Sequence, residues 1–150
     1  MKKMLYGLLA VLLTLSFSAC GTSKETLDAY RLSASDLVVE AADDLVSVME
    51  VYDSTTGTVI PISHKMDAMD GALLFNEKME EFSAMEVPEE YREAHEDMID
   101  AYYSGFVGAI TLTKAYEVES ESMFTDGLNE THKYFLEASE FMAALGYTGE

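Results

Sequence analysis

The chain has 150 residues, 28 of them acidic and 9 basic, for a formal charge of −19, with a single cysteine and no tryptophan. A surface this acidic repels phosphate backbones and anionic lipid head groups, both of which are held by clustered Lys and Arg, so nucleic acid is excluded as a partner. It favours cationic peptides, basic protein patches or divalent ions, and it also serves plain solubility.

The chain opens on MKKMLYGLLAVLLTLSFSAC. Lys2 and Lys3 make a short positive start, Leu5 to Leu15 an apolar run too short to span a bilayer, and Ser16 to Ala19 a small-residue exit, the pattern of a secretion leader. Cys20, directly after Ser18 and Ala19, resembles the lipobox cysteine of bacterial lipoproteins, with Phe17 where that motif usually has Leu. The resemblance implies that residues 1–19 are removed and that Cys20 becomes a lipidated N-terminus, palmitate being among the acyl chains such cysteines carry. The protein is then anchored on the cell membrane and faces outside the cytoplasm. Each acyl methylene adds about 0.8 kcal/mol of membrane affinity, so two chains hold firmly. A plain secreted protein and an N-terminal membrane helix are the alternatives.

Without Lys2 and Lys3 the nine basic residues become seven against 28 acidic ones, a formal charge of −21. The one thiol is used by the lipid, no disulfide is available, and the domain stands on packing alone. Residues 20–24 are a tether of about 14 Å at most from Gly21 to Lys24. Residues 25–150 are long enough for one core, hence one domain lying close to the membrane.

Leu27, Tyr30, Ala34, Val38, Ala41, Leu45, Val48 and Tyr52, spaced by three or four, predict a first core-facing helix. Thr22 or Ser23 caps it, and Asp53 to Gly57 breaks it. A second helix is expected from Pro61 through Ile62, Met66, Met69 and Leu73, its stripe then drifting to Phe75, Met79 and Phe82, a drift that with Gly71 points to a bend or a switch of packing partner. Pro88, followed by Glu89 and Glu90, announces a third, with the stripe Tyr91, Ala94, His95, Met98, Tyr102, Phe106, Ala109 and Tyr116. Gly105 and Gly108 inside it each cost about 1 kcal/mol relative to alanine, which close helix contact would offset. The last helix is expected from Met123 to Asp126 onward, with Phe124, Leu128, Phe135, Ala138, Met142 and Leu145 inward and Gly146 as its stop. The fold class is all-α, an antiparallel up-and-down four-helix bundle. The segment Val87 to His95, after a Met/Phe-rich helix, is similar to a pattern in small helical domains of Gram-positive surface lipoproteins, which implies fold and address but no active site.

The chemistry-bearing residues are sparse. Di-iron bundles need Glu three residues before an inward His, but Pro61, Arg92 and Asn129 occupy those places before His64, His95 and His132. Zinc-protease spacing is absent as well. A looser metal site would draw on His95, His132, Met66 and Met69, with the Met pair suited to Cu(I); against it, His95 and His132 stand on levels about 20 Å apart. The competing reading makes His95 a core imidazole bonded to a tyrosine or glutamate and the methionines plastic core. Glu117, Glu119, Glu121 and Asp126 crowd one connection without the pattern of a calcium loop. Asn129-Glu130-Thr131 spells a glycosylation sequon, to which a bacterial helix gives no use. No nucleophile elbow or phosphate loop is present, so neither catalysis nor a cofactor is expected.

Adjacent Tyr102 and Tyr103 cannot both face one core, so Tyr102, Tyr103 and Phe106 beside the glycines are the candidate interaction surface, with Tyr103 exposed. The function expected is a non-catalytic interaction module for envelope or extracellular proteins and peptides of basic character. A metal- or small-ligand-binding bundle and a purely structural envelope protein are the alternatives.

Overall fold

The computed structural model describes residues 22–53 and 62–147. The leader, Cys20, Gly21 and the break through Gly57 and Pro61 lie outside them, as do the side chains of Tyr52 and Ile62. All regular structure among the described residues is helical: α1 (Lys24–Asp53), α2 (Ile62–Ser83), a 3-10 turn (Glu89–Tyr91), α3 (Arg92–Val118) and α4 (Glu121–Ala144).

Helix α1 follows the expected pattern. Ser23 Oγ accepts the Thr26 N–H at 3.1 Å, satisfying one of the orphan donors of the first turn. Tyr30, Ala34, Val38, Ala41, Leu45 and Val48 are buried on one face.

Helix α2 departs from its expected stripe. Met66, Met69 and Leu73 are 62%, 40% and 52% exposed, while Ala68, Gly71, Ala72, Phe75 and Phe82 face inward. The reason is steric. A Cβ on Gly71 would lie 2.9 Å from Val48 Cγ2 and 3.3 Å from the Asp44 carbonyl, so the small residues are what let α1 and α2 close. Gly71 is a contact point inside a continuous helix.

Pro88, expected at the first position of the third helix, stands before the 3-10 turn with ψ 143°, and the α-helix begins at Arg92. Its buried side carries His95, Met98, Tyr102, Gly105, Gly108, Ala109, Leu112 and Tyr116. Glu119 closes α3 in the left-handed region at φ 53°, and Ser120 Oγ then caps α4 by accepting the Met123 N–H at 3.3 Å. Helix α4 thus starts at Glu121, earlier than its apolar pattern predicts.

The inward residues of α4 are Gly127, Thr131, Tyr134, Ala138, Phe141 and Leu145. Phe124, Leu128, Phe135 and Met142, expected at the core, are half-buried on its flank. A glycine seam sets this rotation. A Cβ on Gly108 would stand 2.7 Å from the Thr131 amide N and 2.9 Å from the Gly127 carbonyl, and one on Gly127 only 2.8 Å from Leu112 Cγ. The two backbones therefore approach at Gly108 and Gly127, which turns Tyr134 and Phe141 inward.

At the centre Phe75 meets Tyr134 edge-on with centroids 5.1 Å apart, Phe82 meets Phe141 at 5.4 Å, and Tyr102 touches both Phe75 and Phe82. Aromatic pairs in these geometries add about 0.5–1.5 kcal/mol beyond their area. Tyr134 Oη donates to the Val38 carbonyl at 2.9 Å and Tyr116 Oη to the Val48 carbonyl at 3.3 Å, so α4 and α3 each reach across to α1. Gly146, at φ 87°, ends the domain where Arg31 lies over the Tyr147 ring.

Candidate functional site

Tyr102 and Tyr103 part as helical geometry requires. Tyr102 is wholly buried in the aromatic core, so its place on an interaction surface is withdrawn; Tyr103 is 65% exposed. Phe106 is half-buried against the core edge.

Phe75 beside Tyr102, and Phe82 stacked on His95 at 4.2 Å, set the register between α2 and α3: a step forward on one is a step back on the other. Leu73 is then level with Tyr103, and Met66 and Met69 bracket the level of Ile110. Met69, Leu73, Tyr103 and Ile110 are all exposed, Met69 with Leu73 four apart on one shoulder of α2 and Tyr103 with Ile110 seven apart on one shoulder of α3. Phe106, Ile99 and Met79 are half-buried at the edge of the core. Glu80 and Glu96 are exposed as well. Met66 and Met69 are both exposed on α2.

The histidines do not converge. His95 is buried, and its Nδ1 lies 2.9 Å from Tyr30 Oη, with Tyr30 stacked in turn on Tyr91 at 5.3 Å. Burial pushes the His95 imidazole below its ordinary range and raises the Tyr30 phenol, so the hydrogen-bonded pair is held neutral. His132 is exposed on α4. Among the described residues no three His, Cys, Asp or Glu side chains gather to hold a metal ion, the acids from Glu117 to Asp126 included. His95 is a structural link between α1 and α3.

On the opposite side of α3, facing α4, lie two adjoining grooves of about 300 and 490 Å³ that share Asp97, Glu137 and Glu140. The spacing of Glu90, Glu93, Asp97 and Asp100 marks one face of a helix in the sequence, but spacing alone does not distinguish a groove wall from a solvated face. What it lacked was the rotation of α4 that brings Glu137 and Glu140 opposite them. No described helix is long and apolar enough to cross a membrane. Compared with models of known protein families, with curated proteins and with solved structures, the chain matches none.

Proposed function

We propose that the chain is a bacterial lipoprotein, anchored through Cys20 on the outer side of the cell membrane. Its helices form an antiparallel up-and-down bundle that acts by binding, not by catalysis. The order of contacts supports the arrangement: Tyr30 meets Tyr91 and His95 at the starts of α1 and α3, Val48 meets Tyr116 at their ends, and Ser35 meets Tyr147 beyond the end of α4. The observation that carries the binding reading is the exposure of Tyr103 and Ile110 on one side of α3 with Met69 and Leu73 exposed at matching levels of α2. Its partner is an envelope or extracellular protein or peptide of basic character, matched to the −19 charge and drawn to it at low salt.

Two measurements test this. Labelled palmitate should enter the full chain in a bacterial host and be lost with Cys20→Ser; a Cys20→Ser chain that still carries label overturns the anchor. A photo-crosslinker placed at position 103 in cells should yield discrete adducts with basic proteins, while the same group at exposed His132 should not. Equal labelling from both positions overturns the surface.

A further inference from the structure

The groove between α3 and α4 has an apolar floor and acidic walls. Met98 and Phe141, both buried in the core, reach its base beside Ala94 and Ala144, while Glu90 and Glu93 rise on one side and Glu137 and Glu140 on the other. Asp97 carries the wall into the adjoining space, where Asp100 adds a further carboxylate.

Among the described residues no basic side chain pairs with these six carboxylates. Of the described basic side chains, Arg31 pairs with Asp28, Lys78 with Glu40, Arg92 with Glu89, Lys114 with Glu117 and Lys133 with Glu130. Lys133 lines the outer space, yet its ammonium is 2.6 Å from Glu130, outside the groove. Lys24 and Lys65 open the first two helices and line neither space. An occupant must therefore bring the positive charge.

The distribution of the acids decides its form. They do not converge on a point where a metal ion would sit. From the 3-10 turn into α3 they recur every three or four residues, from Glu90 to Asp100, a ladder about 15 Å long at about 1.5 Å per residue. A ladder of that length fits cations spread along a chain at similar spacing, and the apolar floor calls for aliphatic side chains between them.

We propose that the α3–α4 groove is a binding site for a cationic amphipathic peptide segment, its Lys or Arg side chains on the two acidic walls and its apolar side chains over Met98 and Phe141. This site is lined by other residues than the Tyr103 surface and shares with it only the sign of the partner's charge. It sits toward the end of the bundle where α1 begins, since Tyr30 meets Tyr91 and His95 there.

The absence of tryptophan makes the test direct, because a single Trp in the probe peptide is the only indole in solution. The full chain in non-ionic detergent is titrated against a Leu/Lys amphipathic peptide of about four helical turns carrying one Trp. Binding should saturate and weaken with added salt. It should fall about tenfold or more in Glu93→Gln/Asp97→Asn/Glu137→Gln/Glu140→Gln, whose exposed side chains leave the core untouched and whose lost repulsion should, if anything, raise the melting temperature. Tyr103→Ala should bind like the native chain, so failure of the shoulder and failure of the groove are separately visible.

Equal affinity in the quadruple variant overturns the proposal. So does equal affinity for an oligolysine of the same charge, which would mean that the floor takes no part. Full displacement by spermine at comparable concentration would make the groove a polyamine site and overturn it as stated. Should the quadruple variant lose its fold, the salt dependence and the oligolysine comparison on the native chain still decide.

Discussion

Single atoms separate residues that look alike in the sequence. Tyr102 and Tyr134 are both fully buried tyrosines of the aromatic core, and burial raises both phenols. Tyr134 Oη has the Val38 carbonyl as acceptor, whereas Tyr102 Oη finds no well-formed hydrogen bond among the described residues. Tyr134→Phe should thus cost about 1 kcal/mol, and Tyr102→Phe should cost less, because the Tyr102 hydroxyl has only the Tyr134 hydroxyl beside it, without a well-formed bond. Denaturant melts of the two variants check the contrast. Tyr103→Ala, on the surface, should stay within about 0.5 kcal/mol of the native chain. His95 supplies a pH dependence. Its folded pKa lies below the unfolded value near 6.5, so the unfolded chain takes up the proton first and stability falls as pH drops below that value. The slope should vanish in His95→Gln, read from midpoints between pH 7.5 and 5. A slope unchanged in the variant assigns the effect to other groups.

At the scale of elements, the existence and order of the helices were legible because hydrophobic spacing and stop signals agree along α1 and α3. Their rotation was less so. In α2 and α4 the apolar residues cover more than half of the circumference, and hydrophobicity alone does not choose between Met66–Met69–Leu73 and Ala68–Ala72–Phe75, or between Phe135 and Tyr134. Small residues chose. Gly71 in α2 and the Gly108–Gly127 pair in α3 and α4 mark where backbones touch, and the larger side chains turn to suit. Gly108→Ala should accordingly cost about 2 kcal/mol, since its methyl meets backbone atoms of α4 that cannot yield singly, despite the better helix propensity of alanine. Gly71→Ala meets chiefly the Val48 side chain and should cost less. Melting temperatures of the two variants decide the order. The groove acids escaped notice for the same reason, since half of the groove belongs to the helix whose rotation the sequence leaves open.

Across the whole molecule, exposed apolar side chains stand among acidic ones. Leu73 and Tyr103 are exposed on α2 and α3, and Val39 and Val46 on α1, while Phe135 and Leu128 of α4 are half-buried. The α3–α4 seam is lined by unpaired carboxylates, and α1 and α2 are joined across their seam by Glu40 and Lys78. With a formal charge of −19 the fold works against its own repulsion, so moderate salt should raise the melting temperature, unlike a protein held by ion pairs. A melting temperature that falls with salt would show that the five surface pairs outweigh that repulsion.

The Gly108–Gly127 seam also bears on the order in which the chain folds. Helices α3 and α4 are joined through Glu119 and Ser120 alone, and the contact that locks them spans few residues, so closing it costs little loop entropy. Val38 and Val48, by contrast, wait for hydroxyls of Tyr134 and Tyr116 that lie 96 and 68 positions onward. The C-terminal hairpin is thus expected to form first, with α1 the last to dock and the first to leave. In native-state hydrogen exchange, amides of α1 should open at lower free energy than those flanking Gly108 and Gly127. A single shared opening energy would mean instead that the bundle comes apart only as one unit.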